Sequence, residues 1–85
     1  SSAASDVYKR QKLAAQMGVA YSVLNEVLNA KRQLTTEYAL LIEAALDLPA
    51  EPLLKMQARY NMITAKRTPS FIEKLNNVRK HAAML

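Results

Sequence analysis

The polar residues Tyr21, Ser22, Asn25 and Glu26 stand at i, i+1, i+4 and i+5, the spacing of one helix face. Their chemistry suits the edges of nucleic-acid bases. The Asn25 amide can donate and accept at adenine together, and Glu26 can accept from the amino group of cytosine. Tyr21 and Ser22 join them as candidates for base contact, at a helix N-terminus that also favours phosphate. Asn29, Lys31 and Arg32 follow directly and can neutralise backbone phosphates. The alternative is a plain helical hairpin with a solvated polar face, against which the basic loop counts.

Two short helices must hold that face in place. Gly18 is the single glycine of the chain and supplies the turn between them. The first helix covers Lys12 to Met17, and the second runs from about Ala20 to Leu28. Ala14, four residues before the glycine, is small enough for the second helix to cross closely. Val19, Leu24 and Val27 anchor that helix and leave its other face outward. This is a helix-turn-helix pattern, in which the second helix enters the major groove of double-stranded DNA. The second helix stops at Asn29-Ala30, with Asn29 the expected left-handed residue.

Three further helices are predicted. Thr35-Thr36-Glu37 opens one that continues to Leu46, with a threonine cap and an acid at the positive end of the dipole. Its run Tyr38-Ala39-Leu40-Leu41-Ile42 is apolar nearly all round and reads as central core. Pro49 and Pro52 fit only in or before the first turn of the next helix, which carries Leu53, Met56, Tyr60 and Ile63 as a stripe. Ser70 and Glu73 suggest a capping box for a last amphipathic helix. Its stripe is Phe71, Leu75, Val78, Ala82 and Leu85, and Phe71, Leu75 and Val78 are the candidates for a dimer or partner contact. Met17, Met56, Met62 and Met84 read as core filler.

Residues 1–11 carry no helical stripe. They resemble translated adapter sequence and read as non-native, with a disordered tail as the alternative, so a native first helix is expected to be missing. The domain reading is therefore 1–11 as this segment, 12–67 as the helix-turn-helix domain and 68–85 as the terminal helix. The class is all-α, a lambda-repressor-like bundle of about five helices.

Composition narrows the functions. The 85 residues contain no Cys and one His, so disulfide frameworks and ordinary structural zinc sites are excluded. One glycine leaves no phosphate-binding loop. No nucleophile and base are paired at a readable spacing, His81 has no metal partner near it, and no catalytic residue, metal or cofactor is expected. No run approaches the roughly 20 apolar residues of a membrane span, and no signal peptide is legible, so a cytoplasmic protein is expected. The net charge of +5 suits nucleic acid, although many small domains carry as much.

Leu13-Ala14, Met17-Gly18-Val19, Val23-Leu24, Val27-Leu28-Asn29, Lys31-Arg32, Thr35, Glu37-Tyr38-Ala39-Leu40, Ala44-Ala45-Leu46, Glu51 and Leu54 to Tyr60 together resemble the XRE (Cro-type) helix-turn-helix family. The TEYAL and LLKMQARYN segments resemble the HigA-type antitoxins of toxin–antitoxin modules in particular. The resemblance implies a homodimer that binds operator DNA, represses its own operon and neutralises a RelE-like (HigB) toxin that cleaves mRNA. Three departures stand out. Ala20 replaces a capping Ser, a loss of about 1 kcal/mol. Ala30 replaces a Gly at a left-handed position. The family's helix before Leu13 has no counterpart. A stand-alone XRE-type repressor, or a protein-interaction module that no longer reads DNA, are the alternatives.

Overall fold

A computed structural model describes residues 2–84, with side chains from Ala4 onward. Five α-helices run in order: α1 (Ser2–Met17), α2 (Tyr21–Leu28), α3 (Thr36–Leu46), α4 (Ala50–Lys66) and α5 (Pro69–Ala83). No strand forms among the described residues. The all-α class therefore holds. The chain divides into two compact units, one reaching to Leu54 and one beginning at Lys55. This division falls inside α4 and differs from the expected boundaries at 12–67 and 68–85.

The first unit is organised around Leu24, which is fully buried. Ala14 and Met17 of α1 and Ile42 of α3 complete the buried cluster, and Leu13, Val19, Tyr21, Leu34, Tyr38, Leu41, Ala45 and Leu53 pack against it. Full burial of one such leucine contributes about 1.5–3 kcal/mol. Ala14 is buried where α1 meets α2, the close approach its small side chain permits. On α3 only one face is buried: Ala39 and Ile42 are inside, whereas Leu40 is 52% exposed. The apolar run was thus wider than the face it buries. Thr35 accepts from the Tyr38 amide at 3.2 Å, the cap its position predicts.

Residues 2–11 are helical, contrary to a disordered segment. Ala, Lys, Arg and Gln are good helix formers, and the packed turn around Leu13 and Met17 gives the helix a nucleus to propagate from. Residues 4–9 nonetheless bury nothing, which is why no stripe marks them in the sequence.

The first two helix stops share one hydrogen-bond pattern. At Gly18, φ +70, the Val19 amide donates to Ala14 and the Gly18 amide to Ala15. At Ala30, φ 57, the Lys31 amide donates to Glu26 and the Ala30 amide to Val27. Both are the paired bonds of a left-handed helix stop. The left-handed residue of the second is Ala30. Asn29 keeps φ −95 and sits one position too early for the role expected of it. Helix α3 ends on a third such residue, Asp47 at φ 56. Pro52 falls in the first turn of α4, where its missing amide costs nothing, and Glu43 Oε2 accepts from the Ala50 amide at 2.6 Å.

In the second unit no described residue is buried. Gln57, Asn61 and Ala65 make one half-buried face of α4, with Gln57 donating to Asn61 at 2.8 Å. Of the α4 stripe only Leu53, in the first unit, packs inside, while Met56, Tyr60 and Ile63 are exposed. Of the four methionines, Met17 alone is buried, and Met56, Met62 and Met84 are exposed. Thr68 stands at the N-cap position of α5 without a side-chain cap bond, and Pro69 is the first helical residue, so Ser70 lies inside the helix and forms no capping box. The Thr68 hydroxyl donates back to the Thr64 carbonyl at 3.0 Å.

Candidate nucleic-acid interface

Helix α2 starts from an extended residue, Ala20 (φ −69, ψ 136), with no side chain to cap it. Its N-terminal amides are therefore left to solvent or a ligand. Leu24 pins the inner face, and the remaining positions divide by what already engages them.

Ser22 is exposed. Asn25 is half-buried, and its Oδ1 accepts from Arg10 Nη1 at 2.7 Å. Glu26 is paired with Arg32, whose Nε and Nη2 both reach Oε2 at 2.9 and 2.8 Å. Tyr21 departs from the outward position expected of it. It is half-buried and packs against the hydrophobic cluster, because its ring has more apolar area to bury than a solvated face rewards. Asn29 and Lys31 are exposed.

The Arg10 contact has chemical consequences. A carbonyl oxygen carries two lone pairs, so Asn25 Oδ1 can still accept a second bond, and its amide nitrogen keeps both donors. Adenine recognition by Asn25 thus remains open, with Arg10 fixing which end of the amide is the acceptor. Arg10 has further donors of its own in a planar fork suited to guanine or phosphate. The Glu26–Arg32 pair is exposed, with side chains 44% and 53% accessible, and contributes no more than about 1 kcal/mol. Its effect is to neutralise the one carboxylate on this face and to hold Arg32 near the helix.

Arg10 is the residue that sequence reasoning missed. No stripe marks its segment, and residues 1–11 were read apart from the fold. A basic residue one turn before Leu13 was the available signal, since α1 places it on the side that α2 crosses.

The candidate contact residues of α5 are separate. Phe71 and Val78 are exposed and Leu75 is half-buried; Leu85 lies outside the described residues. Val78, Ala82 and Met84 line a shallow apolar groove with Lys74, Asn77 and His81. His81 Nδ1 donates to the Asn77 carbonyl at 2.7 Å, a local bond within the helix. No helix among the described residues is long and apolar enough to cross a membrane. No family model, no curated protein and no solved structure matches this chain.

Proposed function

We propose that this chain is a DNA-binding protein of the helix-turn-helix kind, with α2 as the helix that enters the major groove. The observation that carries the reading is the α1–turn–α2 unit. A left-handed stop at Gly18 and a fully buried Leu24 fix α2 firmly, while Ser22, Asn25 and Glu26 stay on a polar face beside Arg10, Lys31 and Arg32. Rigid support behind a polar, cation-rimmed face is what base reading needs.

The resemblance to HigA-type antitoxins extends this reading. The protein would work as a cytoplasmic homodimer on a two-fold operator, repress its own operon and neutralise a RelE-like toxin. The exposed Phe71 and Val78 and the half-buried Leu75 of α5 are the surface offered for the second copy or the toxin.

The test is electrophoretic mobility on the gene's own promoter. Asn25→Ala is expected to cost about 1–3 kcal/mol on the specific site and little on random DNA. Lys31→Ala is expected to weaken both alike. A folded protein that shifts neither duplex at low salt sinks the DNA-binding reading. One observation favours a second reading, a protein-interaction module: Asn25 and Glu26 already bond within the chain. Under that reading the Asn25→Ala protein loses a protein partner and no DNA affinity.

A further inference from the structure

The charge of this chain is unevenly divided. From Lys55 onward seven Lys and Arg side chains stand against one Glu, a formal +6. The first 54 residues carry five Lys and Arg against six Asp and Glu, a formal −1. The unit that contains α2 is therefore close to neutral, and the positive field belongs to the other.

On α4 the spacing concentrates that field. Lys55, Arg59 and Lys66 stand at i, i+4 and i+11, which a period of 3.6 puts on one face. At 1.5 Å per residue they are separated by about 6 and 10 Å along the axis. All three are exposed. They line one shallow groove with Ala58, Met62 and Ile63, within a few turns of a single helix. The acid nearest this face on α4 is Glu51, one turn before Lys55, so the unbalanced charge falls on Arg59 and Lys66. Lys74, Arg79 and Lys80 of α5 are exposed and add to the same sign.

We infer that the unit beginning at Lys55 binds the phosphate backbone of duplex DNA without sequence preference, with Arg59 and Lys66 as its principal contacts. Charge complementarity selects the occupant. A second copy packed through this same face would set three cations against three and be repelled, whatever contact α5 makes. A lipid surface prefers an apolar strip centred on the helix with basic edges. Here the centre holds Lys55, Arg59 and Lys66 with Met62 alone among them, and Ala58 and Ile63 flank the row, so no continuous apolar strip is offered. A stiff, linear polyanion matches a straight row of cations, and its counterion release supplies the affinity. The choice of DNA as the polyanion rests on the reading of α2 above; the cationic row does not.

The experiment uses the full chain and a random-sequence duplex, followed by fluorescence anisotropy across a salt series. Arg59→Gln combined with Lys66→Gln is expected to reduce the slope of log affinity against log salt by about two, near 0.9 per phosphate contact. Arg59→Lys combined with Lys66→Arg, which keep the charge, should retain the slope. Circular dichroism of each variant establishes folding, which both exposed positions should leave intact. A folded Gln variant with an unchanged slope overturns the inference. So does equal or tighter binding to phosphatidylserine vesicles, to polyglutamate or to duplex RNA under the same salt, which would assign the face to a membrane, an acidic protein or RNA. The two readings fail separately. Loss of promoter preference with the slope effect intact removes only the role of α2, and the reverse removes only the cationic row.

Discussion

The two units of this chain use the same alphabet to different ends. Up to Leu54, helix-period leucines, alanines and a methionine close around Leu24 and leave a near-neutral surface. From Lys55 the same kind of periodicity produces Met56, Tyr60, Ile63, Phe71 and Val78, all exposed, on a unit of charge +6. Periodicity specifies that a segment is helical and which residues share a face. It does not specify that anything covers that face. The first unit has the ingredients that a fixed site needs. The second has the ingredients of a surface completed by something else.

The largest effect that can break this comparison lies at Leu24. Leu24→Ala removes a side chain with no exposed area and is expected to cost about 2–5 kcal/mol in urea unfolding. Val78→Ala, at a residue 58% exposed, should stay within about 0.5 kcal/mol. A cost at Val78 comparable to that at Leu24, and rising with protein concentration, would show that α5 is covered by a second copy in solution.

Next come the helix stops, whose effects are near 1 kcal/mol and opposite in sign. An added Cβ at Gly18 meets no atom within 4 Å, so Gly18→Ala carries only the cost of a left-handed alanine, about 1–2 kcal/mol. Ala30 already bears that cost. Ala30→Gly should return part of it, about 0.5–1 kcal/mol after the extra freedom of glycine in the unfolded chain is subtracted. Ala20→Ser should add a cap at α2 worth about 1 kcal/mol, since its backbone is already extended. Thermal unfolding of the three variants reads these signs. Destabilisation by Ala30→Gly would mean that the left-handed stop at α2 is not the conformation in solution.

Much of the first unit was legible because its signals are local. Gly18 marks a stop through its φ, Thr35 marks a start through its hydroxyl, and Leu24 falls where two helices around one glycine must bury a residue. Tyr21 was misread because periodicity assigned it to the polar face, while its ring area draws it toward the cluster. Ala30 is marked as a strained position only by the resemblance to helix-turn-helix sequences, since alanine carries no left-handed signal of its own. Ser70 falls inside α5 because Pro69 fits the first helical position and moves the N-cap position back to Thr68, whose side chain makes no cap bond. The C-terminal stripe could not be assigned to core or surface, because burial depends on a partner element that no local pattern encodes. The candidate site was legible in Ser22, Asn25, Glu26 and the loop cations. Their partners, Arg10 and Arg32, follow from tertiary geometry, and only Arg32 was near enough in sequence to be noticed.

The smallest effect concerns Arg10, and it separates positioning from charge. Arg10→Ala removes one charged hydrogen bond to a half-buried amide, with an expected loss of about 1 kcal/mol or less in stability. Its effect on DNA should be larger on the specific site than on random duplex if the guanidinium sets the Asn25 amide for a base. Arg10→Lys keeps the charge but not the planar fork, so it should restore non-specific binding and fail to restore site preference. Full restoration by lysine would make Arg10 a backbone cation like Lys31. No change from either variant would leave Asn25 to orient itself, and the half of the molecule with the fixed core would then hold its polar face no more firmly than the half without one.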